Sequence, residues 1–354
     1  MKKNFRFCIL FILIFLFITL IAKAEREIKY VDSEIRNGII YSKNEKIPYN
    51  GLIKDYYKNG NVKIEWTIVN GAQNGVAKSY YEDGTLKSDS IFKNNKKTGI
   101  EKMYSFDGKL VAEVPYKDEV RDGIEKQYSK NGKIIIEISF KNGIEDGAFK
   151  QYYENGVLEI ETFYKNGKLE GIWKDYSKDG KIENETSFKN GIEDGTKKSF
   201  YKNGNLKYKG LLCNGKRIKE WKYYYENGNL NFIGSYDEYG EQTGVWKTYY
   251  ENGIIKNIAN YDFGGLVGLV KNFDEEGNYT SSTFYEEGSD LTKWQFFYKD
   301  GKSIEKEGTA YDMGEEAEKR WIIDGEWKYY NETGKLQKIE TYKDGELVKV
   351  KKIK

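Results

Sequence analysis

Residues 147–170 have the sequence GAFKQYYENGVLEIETFYKNGKLE, and residues 171–194 repeat its pattern as GIWKDYSKDGKIENETSFKNGIED. In both stretches apolar and polar residues alternate on either side of an Asn-Gly or Asp-Gly dipeptide. Such a dipeptide between two alternating runs is the strongest short-range indication of a β-hairpin. The sequence therefore predicts one β-hairpin in each unit of 24 residues.

The same unit recurs along most of the chain. Its tenth position, counted from Gly51, is glycine in twelve units, and the preceding residue is Asn or Asp in ten of them. The glycines that we expect in turns are Gly60, Gly84, Gly108, Gly132, Gly156, Gly180, Gly204, Gly228, Gly253, Gly277, Gly301 and Gly334. A fixed period indicates a repeat architecture rather than several globular domains. The predicted fold is all-β, an elongated single-layer antiparallel meander of about twelve tandem hairpins.

The turn sets the expected register of each hairpin. A two-residue turn at Asn59–Gly60 would place position 7 (Tyr57) opposite position 12 (Val62), and position 4 opposite position 15. Position 4 is lysine in eleven of twelve units, and position 15 is acidic in the first six. The predicted cross-strand pairs are Lys54/Glu65, Lys78/Asp89, Lys102/Glu113, Lys126/Glu137, Lys150/Glu161 and Lys174/Glu185. The aromatic residue at position 6 should share their face, and the second connection, such as residues 141–147, should be a longer loop.

Four segments follow from this pattern. Residues 1–24 begin with basic residues, continue as an apolar run and end in Ala22-Lys23-Ala24, which is typical of a signal peptide. Residues 25–50 are expected to cap the first hairpin, residues 51–291 to form regular repeats, and residues 292–354 to form irregular repeats with an insertion and a C-terminal cap. The chain is therefore predicted to be exported to the periplasm, the cell surface or the medium. The alternative is a membrane tether formed by an uncleaved N-terminal segment.

The composition excludes several kinds of function. The chain has no histidine, which removes the usual general base and the commonest metal ligand. Without residues 1–24 it keeps 54 basic and 56 acidic residues and a single cysteine, Cys213, so neither a nucleic-acid surface nor an internal disulfide is expected. Paired carboxylates such as Glu145 and Asp146 fall in predicted exposed turns, which do not raise a carboxyl pKa for acid catalysis. We expect no catalytic residues, no metal and no cofactor.

Aromatic pairs in the later repeats are the candidate partner-binding residues. They are Trp221 and Tyr225, Trp246 and Tyr250, and Trp294 and Tyr298, each pair on one strand face because its spacing is even. Such pairs could form a platform for a sugar or a protein. The alternative is that they are the hydrophobic ladder of the sheet itself. The acidic stretch AYDMGEEAEKRW, residues 310–321, interrupts the repeat and is expected to be a solvated loop, a partner-binding loop or an extended hairpin.

The repeated Y-Y-x-N-G-x-L hairpin, followed by Y/F-K-N-G-x-x-x-G, resembles the bacterial variant of the MORN repeat, which includes YwqK-type antitoxins. The resemblance covers about residues 50–350 and implies a protein that binds or scaffolds other macromolecules, here in the cell envelope. The antitoxin label implies the alternative of an immunity-type protein that neutralises a partner toxin. A third possibility is a carbohydrate-binding surface protein. The expected partners are thus a protein or an envelope glycan, with membrane contact only through the N-terminal segment.

Overall fold

Strands form nearly all of the regular structure in the computed structural model, which describes residues 26–313 and 321–354. Within these residues the only helical element is a 3-10 turn, Tyr30–Asp32, and no helix is long and apolar enough to cross a membrane. This confirms the predicted all-β class. The predicted signal peptide, residues 1–24, and residues 314–320 of the acidic stretch lie outside the described residues.

The chain divides into two units, of which the first ends at Lys168. Its strands are β1 (Glu27–Lys29), β2 (Ser33–Arg36), β3 (Ile39–Ser42), β4 (Gly51–Tyr56), β5 (Val62–Val69), β6 (Ala72–Tyr80), β7 (Leu86–Lys93), β8 (Lys96–Tyr104), β9 (Leu110–Lys117), β10 (Val120–Arg121), β11 (Gly123–Tyr128), β12 (Ile134–Lys141), β13 (Ile144–Tyr152) and β14 (Leu158–Lys165). From β4 onward, successive long strands pair antiparallel, as in β4 with β5 and β5 with β6. Strand β1 lies parallel to β4, and β2 and β3 form a separate hairpin.

The second unit begins at Leu169, and β15 (Lys168–Leu169) lies at the boundary. Its strands are β16 (Gly171–Tyr176), β17 (Ile182–Lys189), β18 (Ile192–Phe200), β19 (Leu206–Cys213), β20 (Lys216–Tyr224), β21 (Leu230–Tyr236), β22 (Gln242–Tyr249), β23 (Ile255–Asp262), β24 (Gly265–Phe273), β25 (Tyr279–Tyr285), β26 (Leu291–Phe297), β27 (Ile304–Asp312), β28 (Trp321–Tyr330), β29 (Leu336–Lys343) and β30 (Glu346–Lys352). Each strand from β16 to β30 pairs antiparallel with the next, so this unit is also a meander of hairpin repeats.

The first connection is a three-residue loop in eleven of the twelve repeats and a four-residue loop, between Tyr298 and Ser303, in the other one. In the first repeat the N–H of Tyr57 donates to the carbonyl of Asn61 at 2.9 Å, and the N–H of Gly60 donates to the carbonyl of Tyr57 at 3.0 Å. Gly60 has φ +90°, and all twelve turn glycines have positive φ. Asn59 does not, so the prediction of a two-residue turn with two left-handed residues is wrong here. A type I turn followed by a left-handed glycine explains the pattern.

The two-residue turn occurs instead at the second connection. Asn142 and Gly143 have φ of +51° and +83°, and they join Lys141 directly to its cross-strand partner Ile144. The prediction of a longer loop at residues 141–147 is therefore wrong, because residues after Gly143 already belong to β13. Asn-Gly occupies both connections of a repeat, and the dipeptide alone does not distinguish the two turn types.

The register combines one confirmed prediction with one error. All six predicted lysine–carboxylate pairs lie directly opposite each other, from Lys54/Glu65 to Lys174/Glu185. Tyr57 does not face Val62, however, because Val62 is the partner of Tyr56. The third loop residue shifts the register by one, and a β-bulge between Tyr56 and Asp55 shifts it back. The two deviations cancel before Lys54 is reached.

The two faces of the sheet differ in both units. We call the face with positions 4 and 15 the charge face, and the opposite one the core face. On the charge face, position 6 tyrosines donate to ladder carboxylates, as from Tyr152 to Glu137 at 2.9 Å, so their predicted side is confirmed. Many buried residues of the core face occupy positions 3 and 16, including Ile53, Val114 and Ala259.

The residues before the first repeat contact its hairpin. Tyr49 is fully buried in a cluster with Ile53 and Ile68, and its hydroxyl lies 2.8 and 3.0 Å from the carbonyls of Arg26 and Leu52, which share its single proton. Because a buried phenol needs hydrogen-bond partners, these two acceptors fix the path of the segment. At the other end of the sequence, β30 pairs with β29 and its residues are exposed.

Candidate functional site

The tyrosines of the predicted aromatic pairs connect neighbouring repeats. The hydroxyls of Tyr225, Tyr250 and Tyr298 donate to the carbonyls of Tyr249, Phe273 and Tyr330 at 2.7, 2.8 and 2.7 Å. Each acceptor is the position 6 carbonyl of the next repeat. The same bond is made by the position 7 tyrosines Tyr57, Tyr81 and Tyr201. These hydroxyls therefore hold repeats together.

Two of the predicted tryptophans are buried in the core face. Trp221 and Trp246 are 1% and 6% exposed, and their indole N–H groups donate to main-chain carbonyls of Leu211 and Ser235. Each indole lies over a glycine of the preceding strand, because a Cβ on Gly210 would fall within the Trp221 ring and one on Gly234 within the Trp246 ring. Both side chains thus have the packing role of a hydrophobic ladder.

The ladder around these two indoles is continuous. Tyr223 stacks on Phe232 with ring centroids 4.0 Å apart, and Phe232 stacks on Trp246 at 6.2 Å. The guanidinium of Arg217 lies 4.9 Å from the Trp221 ring and donates to the hydroxyl of Tyr236 at 3.2 Å. Burial raises the pKa of Tyr223 to about 12. This part of the core face is a packed aromatic layer.

Trp294 has a different environment. It is half-buried, its N–H donates to the hydroxyl of the fully buried Thr292 at 2.8 Å, and one neighbour is Phe296, stacked at 5.8 Å. Trp321 meets Trp294 nearly at a right angle, with centroids 4.9 Å apart and an interplanar angle of 80°. Tyr285 makes a second edge contact with Trp321 at 6.3 Å. These three rings form a corner on the core face of the second unit.

This corner is one end of an open concavity of about 1020 Å³, which we call the aromatic groove. Its lining residues are Gln242, Asn257, Ala259, Tyr261, Gly264, Leu266, Val270, Asn272, Thr283, Tyr285, Ser289, Asp290, Trp294, Asp312, Met313 and Trp321. The four aromatic members are half-buried, and the floor consists of the buried small residues Ala259, Val270 and Thr283. None of the lining residues within the described part of the chain is a lysine or an arginine, and residues 314–320, which follow Met313, lie outside that part. The volume is at the upper end of ordinary ligand sites.

The groove exists because one repeat lacks its tryptophan. Position 3 is tryptophan in neighbouring repeats, at Trp221, Trp246 and Trp294, but it is Val270 in the repeat between the last two. Ala259 lies beside Val270, at the position where Gly210 and Gly234 lie under the indoles of Trp221 and Trp246. The ladder is thus interrupted for one repeat, and the missing ring leaves space on the core face.

Polar groups line the centre of the groove. The amide of Asn257 donates to Oδ1 of Asn272 at 2.8 Å, and the amide of Asn272 donates to the hydroxyl of Ser281 at 3.0 Å. This chain fixes the orientation of both amides. The carboxylates Asp290 and Asp312 lie at the end near Trp294. The groove therefore combines apolar rings with oriented amide, hydroxyl and carboxylate groups.

The prediction that the paired carboxylates lie in exposed turns is wrong, because Glu145 and Asp146 belong to β13, Asp194 belongs to β18, and all three are half-buried. Their contacts are structural. Asp146 accepts a hydrogen bond from the main-chain N–H of Asn166 at 3.1 Å, and Asp194 accepts one from Asn214 at 3.4 Å. Both donors are the first residue of the next two-residue turn, so these carboxylates support neighbouring turns. In the described part of the chain no group of three or more His, Cys, Asp or Glu residues is placed to hold a metal ion.

Sequence reasoning identified part of the groove. Trp294 was among the candidate residues, and Trp321 ends the stretch 310–321 that was considered as a partner-binding loop, whereas Tyr261 and Tyr285 were not singled out. The available indication was the substitution of valine for tryptophan at residue 270, which stands out once position 3 is compared between repeats. Asn257 and Asn272 could not be recognised in this way, because asparagine is frequent throughout the repeats.

Comparison with solved structures shows distant similarity. Among solved structures, the chain is similar to TcdB2-TccC3-TEV, with 11% identity, a TM-score of 0.17, and coverage of 86% of this chain and 18% of that one. For the Tc holotoxin pore of Photorhabdus luminescens the values are 10%, 0.15, 84% and 22%, so this chain spans a small part of those proteins. Likeness at such TM-scores supports no argument about this chain.

No curated protein matches the chain. The model of the MORN repeat variant matches ten segments, which together cover more than half of the chain: residues 49–70, 73–94, 97–118, 121–142, 145–166, 169–190, 193–214, 217–238, 242–262 and 323–344. These segments coincide with the hairpins described above. The chain belongs to the MORN repeat variant family.

Proposed function

We propose that this protein is an exported, non-catalytic MORN-repeat protein that binds or scaffolds a macromolecular partner in the cell envelope. The observation that carries the proposal is the aromatic groove of the second unit. The repeat does not need these half-buried rings and oriented amides for packing of the core face, because neighbouring repeats bury a tryptophan in the same place. Half-buried aromatic side chains beside polar groups are typical of recognition surfaces.

Two further features support binding rather than chemistry. The chain contains no histidine, and the polar groups at the centre of the groove are amides and hydroxyls, which are weak proton-transfer groups near neutral pH. The repeats also present the same side chains at regular intervals. Repeated contacts allow avidity to add to the affinity of any one site.

The experiment is capture of partners from cells that make the full chain with a C-terminal affinity tag. Envelope and cytoplasmic fractions are cross-linked and purified on the tag, and the N-terminus of the recovered protein is determined by mass spectrometry. We expect recovery in the envelope or the medium, a first residue at Glu25, and one or more partners that are lost in Trp294→Ala. Tyr239→Ala, which removes a 63% exposed ring from a turn, is the control.

The outcomes separate the alternatives. Capture of one small protein in equal amount would favour the neutralising, antitoxin-type role over scaffolding. Recovery only from the cytoplasm with residues 1–24 intact would refute export. Absence of any partner for a folded chain would refute the binding function.

A further inference from the structure

We infer that two copies of this chain associate through the charge face of the first unit. The inference is independent of the aromatic groove and adds a second interaction surface to the proposed function. The surface consists of two rows of side chains that run across the strands from β4 to β14. The charged row contains positions 4 and 15, and the apolar row contains positions 2 and 17, which lie on the same face because side chains of one face recur every second residue.

The apolar row exposes large apolar side chains to solvent. Its cross-strand pairs are Val76/Ile91, Ile100/Pro115, Ile124/Ser139 and Ala148/Phe163. Ile124 is 55% exposed, and four further exposed members of the row are Val76, Ile91, Ile100 and Phe163. Single exposed apolar residues are ordinary, whereas a contiguous row of them is typical of a surface that contacts another molecule.

The charged row alternates in sign from strand to strand. Lys102, for example, lies between Asp89 of the preceding hairpin and Glu113 of its own hairpin. The order along the sheet is Lys54, Glu65, Lys78, Asp89, Lys102, Glu113, Lys126, Glu137, Lys150 and Glu161. Because neighbouring strands lie about 4.8 Å apart, the sign of the charge changes every ~4.8 Å along this row.

This spacing indicates that the partner is another sheet. Side chains on one face of a single strand recur every ~6.8 Å, and the turns of a helix recur every ~5.4 Å, so the charges of either would drift out of phase with the row. A polyanion would meet as many carboxylates as lysines. The charged row of a second copy has both the spacing and the alternation that this surface requires.

A two-fold axis brings the two charged rows into register. If the axis is parallel to the strands and lies between Glu113 and Lys126, each lysine of one copy faces a carboxylate of the other, as Lys102 faces Glu137 of the second copy. The two apolar rows then also face each other, because such an axis leaves every position at the same height along the strands. An axis through a strand would bring like charges together, so the charges exclude every second register.

The two rows thus have different roles in the contact. The apolar rows provide surface that is removed from water. The charged rows set the register, and covering them leaves no isolated charge, because opposite charges already lie side by side within one copy, as Nζ of Lys54 does at 3.5 Å from Glu65.

The first test changes the apolar row. Position 2 is glutamate in two later repeats, at Glu220 and Glu326, so Ile100→Glu combined with Ile124→Glu introduces a residue that the repeat accepts. The molar mass of the full chain and of this double variant is measured by sedimentation equilibrium over a range of concentrations. We expect a dimer whose dissociation constant rises about tenfold or more in the double variant.

The control makes the same change of net charge away from the two rows. Phe106→Glu combined with Tyr239→Glu replaces two rings that are each 63% exposed in turns, and it should leave the dissociation constant unchanged. Circular dichroism confirms that both double variants are folded.

The second test uses the alternation of charge. Lys102→Glu with Lys126→Glu makes the centre of the charged row wholly acidic, and Glu113→Lys with Glu137→Lys makes it wholly basic. Each variant alone should be monomeric because like charges would meet between the copies, whereas an equimolar mixture of the two should form a heterodimer. Association in the mixture would also show that both variants are folded.

A monomeric chain at every concentration up to about 100 µM, a dimer that survives Ile100→Glu with Ile124→Glu, or a mixture that stays monomeric would overturn the inference. A monomer that loses its cellular partner in the same double variant would identify a different protein as the occupant of this face, and it would also overturn the inference. If the chain dimerises and captures no partner in cells, the inference stands and the proposed function fails. A monomer that captures a partner through Trp294 gives the reverse result.

Discussion

Adding one methyl group to Gly234 should destabilise the second unit. A Cβ at this residue would fall within the indole of Trp246, which is 6% exposed and therefore has little room to move. The backbone of Gly234 is not in the left-handed region, so alanine carries no conformational strain there. Overpacking in Gly234→Ala should therefore cost about 1–3 kcal/mol, of which the lower entropy of the unfolded chain offsets about 0.4–1 kcal/mol.

A second substitution tests whether the clash is the cause. Trp246→Ala should cost about 3–5 kcal/mol, because it removes a large buried ring. In that background the alanine at residue 234 has space, and it lowers the entropy of the unfolded chain, which favours folding by about 0.4–1 kcal/mol. The double variant should thus be more stable than the sum of the single effects by about 1–3 kcal/mol.

Hydrogen exchange with mass spectrometry is the suitable assay. Long repeat arrays do not unfold in one step, so a local free energy of opening for peptides of β21 and β22 is better defined than a single global value. The control is Gly265→Ala, whose Cβ would make only an ordinary contact with the carbonyl of Asp262 at 3.5 Å. Additive single effects, or a Gly234→Ala variant as stable as the Gly265→Ala control, would refute the proposed packing.

Three further predictions concern other contacts. Lys219 has φ +57° at a position that is glycine in most repeats, so Lys219→Gly should stabilise β20 by up to about 1 kcal/mol, measured by amide exchange in that strand. Tyr250→Phe removes the donor to the Phe273 carbonyl and should cost about 1 kcal/mol, measured by amide exchange in β24. The ammonium of Lys338, 2.7 Å from Glu340, together with hydrogen bonds from Tyr329 and Tyr342, lowers the pKa of that carboxyl to about 2. The unchanged chain should therefore have a higher free energy of unfolding than Lys338→Met, with the full difference present above pH 4.5. This difference should decrease as the pH falls towards 2, and unfolding measured as a function of pH checks it.

The hairpin repeat and its charged pairs could be predicted because they depend on local alternation. A lysine at position 4 and an acid at position 15 recur in the same units, and a one-residue slip would move either to the other face. The turn types could not be assigned, because the same dipeptide, Asn-Gly, belongs to a three-residue loop at residues 59–60 and forms a two-residue turn at residues 142–143. What separates them is the number of residues that each loop inserts, which the dipeptide does not specify.

The candidate site was harder to predict because it depends on packing between repeats. Tryptophan is abundant in the later repeats, yet Trp221 and Trp246 are covered while Trp294 is half-buried. The difference arises from neighbours one strand away, Gly210 and Gly234 under the buried rings and Val270 at the gap. Periodicity describes the average repeat, whereas the groove lies at a departure from that average.

The glycine under each buried indole belongs to the preceding repeat, as Gly210 does for Trp221, Gly234 for Trp246 and Gly308 for Trp327. Excision of a whole repeat by recombination would preserve the strand register but could join a tryptophan to a neighbour with a side chain beneath it. Tandem duplication and loss are therefore constrained by the order of repeats as well as by their length. A repeat that is transferred to another repeat protein would have to include the preceding strand, because that strand supplies the glycine under its indole.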